Sequence, residues 1–201
     1  MLKIALTGGL ASGKSFAGEI LQRLGCLLIK ADALGHEVLL PGGEAYADVL
    51  SEFGNNILND EGFIERKKLA ALVFFHPGRL EALNRLVHPP VRARTERMLA
   101  DFAATDPKGI AVVEAAIHIE TGGYRAYDRL ILAWCLPEQQ IERAMHRDAS
   151  SREEVMVRLS RQMPLEEKRK FAHYVVDTSG RKEDTQRQTE EIYQELRRIA
   201  Q

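Results

Sequence analysis

Short apolar segments alternate with segments of helical spacing along much of the chain. The apolar segments predict five β-strands, at residues 3–7, 26–29, 110–113, 129–136 and 174–176. Between the first two, Phe16, Ile20, Leu21 and Leu24 fall on one helical face, and Gly25 supplies a C-terminal cap. Strands separated by helices are typical of a parallel sheet with crossover helices, and we therefore predict an α/β fold.

Two stretches interrupt this alternation. Residues 33–105 contain no convincing strand and predict several helices, with turns at the Pro-Gly sequences that start at Pro41 and Pro77. We expect this stretch to be a helical insertion over the carboxyl ends of the strands. Residues 138–170 are helical and rich in arginine, which predicts a lid. An amphipathic helix is predicted from Arg181 to the end of the chain. The predicted core consists of residues 1–32, 106–137 and 171–201.

Composition and charge narrow the class of protein. The 201 residues carry 28 Lys+Arg and 29 Asp+Glu, and the formal net charge of −1 argues against a general nucleic-acid binder. The length suits one domain, or one core with a small mobile insertion. The longest apolar run, residues 130–136, is shorter than the ~20 residues that cross a bilayer, and no signal-peptide pattern is present at the N-terminus. We therefore expect no membrane partner. Because Cys26 and Cys135 lie far apart among apolar residues, we expect buried, reduced thiols in a cytoplasmic protein.

The link between the first strand and the first helix carries the clearest chemical motif. Residues 8–15 read Gly-Gly-Leu-Ala-Ser-Gly-Lys-Ser and match the phosphate-binding loop Gly-x-x-x-x-Gly-Lys-Ser in full. Glycines let the backbone pass close to phosphate oxygens, and the N-terminus of the following helix adds positive potential there. We expect Lys14 to reach the β- and γ-phosphates of a nucleotide and the Ser15 hydroxyl to ligate Mg²⁺. The alternative is a glycine-rich turn without a ligand.

Two acidic residues close predicted strands, at the edge where doubly wound sheets bind ligands. Asp32, after the second strand, is either a base that accepts a proton from an attacking hydroxyl or the N-cap of the next helix. Glu114 is either part of the magnesium shell, through water, or an exposed strand end. Lys30 is expected on the same face as Asp32, where it would pair with that carboxylate or contact a phosphate.

Three basic residues in the helical stretches are further candidates. Arg143 and Arg147 are one helical turn apart and project from one face, and Asp148 is placed to orient Arg147. Near a phosphate loop such a pair would stabilise the charge of phosphoryl transfer, whereas the alternative is a solvated face held by weak ion pairs. His88, before Pro89, lies between two predicted helices and is either catalytic or a capping or core histidine.

Together these residues resemble the dephospho-coenzyme A kinase family along nearly the whole chain. The phosphate loop alone indicates only a superfamily, but the ordered combination of the loop, Asp32, His88-Pro89 and the paired arginines is more specific. The segments similar to family motifs are residues 6–15, 24–25, 32, 62–66, 69, 73–74, 88–89, 140–148, 162 and 172–180.

The resemblance implies a fold and a reaction. The fold would be that of a P-loop kinase, a five-stranded parallel sheet flanked by helices, with a helical substrate-binding insertion and a lid. The enzyme would transfer the γ-phosphate of ATP to the ribose 3′-hydroxyl of dephospho-CoA to give coenzyme A, the last step of its biosynthesis, with Mg²⁺ as cofactor. The partners would be ATP and dephospho-CoA, without nucleic acid. We expect a monomer, with a weak homo-oligomer as the alternative.

The resemblance also assigns roles to individual residues. Asp32 would be the catalytic base, assisted by Lys14 and Arg147, and Ser15 would hold the metal. The substrate-binding residues would be Asp32, Arg66, His88 and Glu114. The ATP-binding residues would be Gly8, Gly9, Leu10, Ala11, Ser12, Gly13, Lys14, Ser15, Phe16, Arg143 and Thr178.

Four positions depart from the family pattern. Lys30 replaces an aspartate, Phe16 replaces a threonine hydroxyl, and Thr178 replaces an asparagine that reads the base. Ala11 replaces a loop glycine, which matters only if that position needs a positive φ. The segment 114–120 also differs from its usual composition. Two alternatives stay open: another small-molecule or nucleotide kinase on the same fold, and a nucleotide-binding regulator that has lost catalysis.

Overall fold

The computed structural model describes residues 1–74 and 76–200 and divides the chain into two compact units. The sheet unit comprises Met1–Lys30 and the chain from Leu99 onward, and the helical unit comprises Ala31–Met98. The strands are β1 (Leu2–Thr7), β2 (Leu27–Lys30), β3 (Ile110–Glu114), β4 (Arg129–Trp134) and β5 (Tyr174–Asp177). The helices are α1 (Lys14–Arg23), α2 (Ala31–Glu37), α3 (Tyr46–Phe53), α4 (Arg66–Phe74), α5 (Pro77–Thr105), α6 (Pro137–Asp148), α7 (Arg152–Leu159), α8 (Leu165–Lys168) and α9 (Lys182–Ile199).

The five strands form one parallel sheet in the order β2-β3-β1-β4-β5. This confirms the predicted five-stranded parallel sheet. The connection after β1 leads towards one edge of the sheet, and the connection after β4 leads towards the other. Ligands of open α/β sheets bind at the carboxyl ends of the strands where such connections diverge, and the phosphate loop begins at that end of β1.

The largest core of the sheet unit joins the sheet to its first and last helices. Ile4 and Leu6 of β1 belong to one buried cluster with Leu21 of α1 and Leu196 of α9. Fully burying a side chain of this size contributes about 1.5–3 kcal/mol, so this cluster stabilises the position of α1 against β1. The helix predicted from Arg181 is α9, and the end of that prediction, Gln201, lies outside the described residues.

The helical unit is built as the spacing predicts, from helices and a single antiparallel bridge between Leu58 and Ile64 within the described residues. It has an apolar core of its own, formed by Val38, Ala45, Val49, Phe53, Ile57, Leu69, Val73 and Ala82. The turn predicted at Pro41 is present, with Gly42 at φ 81°. The second predicted turn, at Pro77, is the start of α5.

The structure corrects the expected surroundings of His88. It lies inside the continuous helix α5, not between two helices, although Pro89 and Pro90 follow it. Proline within a helix removes a backbone donor and disfavours the helix, yet α5 continues through both prolines. Val87 and Val91, on either side, pack against the core of the helical unit, and this packing favours a continuous helix. His88 itself is exposed, so it is neither a core nor a helix-capping residue.

The thiols lie where the sequence predicts. Cys26 and Cys135 are buried and free, and burial raises the pKa of Cys26 to about 12. Burial also raises the pKa of Cys135, with Arg143 opposing the change. Across the described part of the chain, none of the helices combines the length and the apolar character needed to span a membrane.

Candidate nucleotide-binding site

The loop of residues 8–15 closes on itself between β1 and α1. Ser12 Oγ accepts a hydrogen bond from the Gly9 N–H at 3.1 Å, and the Ser12 N–H donates to the Gly9 carbonyl at 3.3 Å. Gly13 precedes α1 with φ 82°, which glycine adopts without strain. Ala11 also has a positive φ, 55°. A left-handed conformation costs an L-residue about 1–2 kcal/mol, so the alanine at this position is strained.

Lys14 and Ser15 converge on one carboxylate oxygen at the end of β3. Lys14 Nζ lies 2.7 Å from Glu114 Oε1, and Ser15 Oγ donates to the same oxygen at 2.7 Å. Glu114 is only 3% exposed, so the alternative of a solvated strand end is wrong. Its second oxygen, Oε2, is buried and has no hydrogen-bond partner among the described residues. A buried carboxylate next to Lys14 and Ser15 forms a polar centre at the start of α1.

Arg143 and Thr178 meet beside the same end of the loop. The Arg143 guanidinium donates to Thr178 Oγ1 at 3.2 Å and to the Thr178 carbonyl at 2.7 Å. Thr178 Oγ1 in turn donates to the Ser12 carbonyl at 2.9 Å. A Cβ built on Gly13 would lie 3.0 Å from the Thr178 side chain, so the two residues are packed closely. The structure thus brings together three predicted parts of the site: the loop, Arg143 and Thr178.

Arg147 projects from the same face of α6 as Arg143 but makes different contacts. Its guanidinium donates to both carboxylate oxygens of Asp148, at 2.7 and 3.0 Å, a contact that both the orienting role and the alternative of a solvated, ion-paired face predict. Arg158 of α7 also donates to Asp148, at 2.6 Å. Hydrogen bonds from Arg147, and then from Arg158, hold the pKa of Asp148 well below its usual value. Arg147 remains half-exposed and its position is fixed by this pair.

Three side chains from residues 137–168 bind the backbone of the first half of the loop. Gln140 Nε2 donates to the Leu10 carbonyl at 2.8 Å, and Gln162 Oε1 accepts from the Leu10 N–H at 2.9 Å. Lys168 Nζ donates to the Gly8 carbonyl at 3.0 Å. The two glutamines belong to segments that resemble family motifs, but Lys168 was missed. It lies in the run Leu-Glu-Glu-Lys-Arg-Lys, which gives no signal of burial.

The remaining predicted residues belong to the helical unit. Asp32 lies in the first turn of α2, which begins at Ala31, so it is inside the helix and not at its N-cap. Arg66 starts α4 and, with His36, lines a small cavity of about 60 Å³. Partial burial, followed by the nearby Arg66 charge, lowers the pKa of His36, and Asp32 opposes this change. His88 does not line that cavity.

Two of the residues that depart from the family pattern have contacts of their own. Lys30 Nζ pairs with Glu19 Oε1 of α1 at 3.2 Å, which corrects the expected pairing with Asp32. Both side chains of this pair are largely exposed, so its contribution to stability is small. The Phe16 ring lies under the Lys182 ammonium, 5.9 Å from the ring centre.

Comparisons with known proteins agree with this geometry. A family model described as dephospho-CoA kinase matches residues 2–184. A dephospho-CoA kinase of Geobacter sulfurreducens is 38% identical over 190 residues, covering 94% of this chain and 96% of the relative. Among solved structures, a Thermus thermophilus protein aligns with a TM-score of 0.82 at 32% identity, covering 97% of each chain. A dephospho-CoA kinase from Campylobacter jejuni aligns with a TM-score of 0.72 at 27% identity, covering 99% of this chain and 98% of that one. The chain therefore belongs to the dephospho-CoA kinase family.

Proposed function

We propose that this protein transfers the γ-phosphoryl group of ATP to the ribose 3′-hydroxyl of dephospho-CoA and so produces coenzyme A. The observation that carries the proposal is the convergence of Lys14, Ser15 and Glu114 at the start of α1, in a chain of the dephospho-CoA kinase family. Membership of this family argues against both alternatives, a kinase that acts on a different acceptor and a nucleotide-binding regulator that has lost catalysis.

Phosphate binding would depend on the loop backbone, the N-terminus of α1 and Lys14. The Lys14 ammonium is nearly buried, and the Glu114 carboxylate holds it at the loop. An incoming γ-phosphate would compete with Glu114 for this ammonium, which is a strong charge-assisted donor. Ser12 and Thr178 support the loop from inside, so little of it has to reorganise when phosphate binds.

The residues around Ser15 fit Mg²⁺, which prefers oxygen ligands. The Ser15 hydroxyl would bind the ion directly. Glu114 would bind it through water, since its buried Oε2 has no hydrogen-bond partner among the described residues and could accept a hydrogen bond from a water ligand of the ion. Mg²⁺ bound with ATP neutralises charge on the β- and γ-phosphates. Within the described residues, no cluster of three or more His, Cys, Asp or Glu could hold a metal. A Mg²⁺ ion held by one hydroxyl and nucleotide phosphates needs no such cluster.

Asp32 would accept the proton of the 3′-hydroxyl as the new P–O bond forms and the bond to the β-phosphate oxygen breaks. Its place in the first turn after β2 supports this role, because chain continuity puts it directly beyond the carboxyl end of that strand.

Arg143 and Arg147 would contact the nucleotide phosphates, with Asp148 orienting Arg147. Residues 33–105, with Arg66 and His88, would bind the acceptor, and residues 138–170 would close as a lid. We expect a monomer in the cytoplasm.

A coupled assay of ADP release tests the proposal. ADP should appear rapidly only when both ATP and dephospho-CoA are present. Asp32→Asn keeps the size of the side chain, and it should lower turnover by about 10²–10⁴-fold without changing the melting temperature. ADP release that is equally fast without dephospho-CoA, or no release with it, would contradict the proposed reaction.

A further inference from the structure

Lys168 is a fully buried lysine whose ammonium group binds three oxygens. The side chain is inaccessible to solvent although the neighbours Glu167 and Arg169 are exposed. Its Nζ donates to the Gly8 carbonyl at 3.0 Å and to the Ala116 carbonyl at 2.6 Å, and it pairs with a Glu120 carboxylate oxygen at 2.8 Å. The buried ammonium group thus makes two hydrogen bonds and one ion pair. A buried charge satisfied in this way holds its partners in one geometry.

The Gly8 carbonyl belongs to the first peptide group of the phosphate loop. The N–H of that same peptide, on Gly9, donates to Ser12 Oγ at 3.1 Å. Lys168 and Ser12 therefore hold the two ends of one peptide plane. A Cβ built on Gly8 would overlap Ser12 Oγ, so a side chain at this position would displace Ser12 from its hydrogen bond with the Gly9 N–H.

The same ammonium also fixes the segment that follows β3. The Ala116 carbonyl accepts from Lys168 and from Thr7 Oγ1, the last residue of β1, at 3.3 Å. Glu120 accepts in addition from the Met163 N–H at 3.0 Å. Lys168 thus contacts the start of the phosphate loop at Gly8 and the segment after β3 at Ala116 and Glu120. Through Glu120 it is also linked to Met163, just before α8.

We propose that Lys168 is a positioning residue for phosphate binding. It holds the Gly8–Gly9 peptide so that the loop that follows presents its N–H groups to the β-phosphate of a nucleotide, and it does so without contacting the nucleotide. The inference rests on the proposed function, because it assigns Lys168 to the same phosphate loop. Small displacements of the groups that position a reacting phosphate have large effects, because a misplacement near 1 Å can lower the reaction rate by about 10²-fold.

The test compares ADP and AMP binding by isothermal titration calorimetry. Both nucleotides share the base, ribose and α-phosphate, and only ADP has the β-phosphate that the loop would hold. Lys168→Met keeps the length of the side chain and removes its charge and donors. It should weaken ADP binding by about tenfold or more while AMP binding is much less affected. Lys108→Met, at an exposed lysine outside both the phosphate loop and the proposed lid, is the matched control and should bind both nucleotides as the wild type does.

The outcomes separate positioning from simple stabilisation. If Lys168→Met lowers only the melting temperature and keeps the wild-type preference for ADP over AMP, the proposal is wrong. If the single variant is unfolded, Lys168→Met combined with Glu120→Gln removes the unpaired carboxylate and allows the same comparison. A wild type that does not prefer ADP over AMP would contradict the phosphate-loop function itself, whatever Lys168 does.

Discussion

Gly13→Ala should destabilise the protein and weaken nucleotide binding, because the new methyl group meets both backbone strain and a fixed neighbour. At φ 82°, an alanine costs about 1–2 kcal/mol relative to glycine. About 0.4–1 kcal/mol of this is offset by the lower entropy of the unfolded chain. The Cβ would also lie 3.0 Å from three atoms of Thr178, which is held by Ser12 and Arg143 and cannot turn away without breaking those bonds. Overpacking of this kind costs a further ~1–3 kcal/mol.

Gly25→Ala is the matched control for Gly13→Ala. Gly25 also has a positive φ, 98°, but a Cβ there would have no atom within 4 Å, so this variant carries backbone strain alone. In thermal denaturation, 1 kcal/mol corresponds to about 2–4 °C for a chain of this length. Gly13→Ala should therefore melt several degrees below Gly25→Ala and should bind ADP more weakly. Equal melting temperatures for the two variants would refute the close packing of Gly13 against Thr178.

Ala11→Gly should raise the free energy of unfolding by about 0.5–1 kcal/mol, measured by urea denaturation, because it relieves the strain at φ 55° at some cost in chain entropy. A destabilised Ala11→Gly variant would argue against a left-handed residue there. Cys26 should resist alkylation at pH 8 in the native state and react quickly in denaturant, since burial raises its pKa to about 12. Rapid native labelling at Cys26 would contradict its burial. Asp148→Asn should lose stability at pH 7, because Arg147 and Arg158 lower the pKa of Asp148 in the folded state. That stabilisation is complete above the unfolded carboxyl pKa of about 3.9 and disappears as the pH falls further, so melting curves of wild type and variant should converge in acid. A difference in melting temperature that does not depend on pH would show that charge is not the cause.

The sheet and its loop could be predicted because their signals are local. Each strand is a short apolar run, and the loop motif fixes the order of strand, turn and helix. The position of Glu114 at the end of β3 followed from that pattern, but its burial did not. The burial of Glu114 depends on the packing of α1 against β3 around the Lys14 ammonium, which the spacing of apolar residues in the sequence does not reveal.

The features that the sequence could not reveal depend on contacts between distant segments. Lys168 binds Gly8, which is 160 residues away, and nothing in a run of charged residues marks it as buried. The continuity of α5 through Pro89 reflects packing of its apolar neighbours, which outweighs a local signal for a break. The strain at Ala11 depends on the loop conformation, which the residue type alone does not determine.

Phosphorus NMR of the product formed from ATP and dephospho-CoA shows directly which oxygen receives the phosphoryl group. We expect one new phosphomonoester signal, coupled to the ribose 3′ proton, together with a stoichiometric amount of ADP. Lys14→Met, with a folded state verified by its melting curve, should give almost none of this product. A phosphate at another position, or an unchanged amount of product from Lys14→Met, would contradict the assignment of the reaction to this loop.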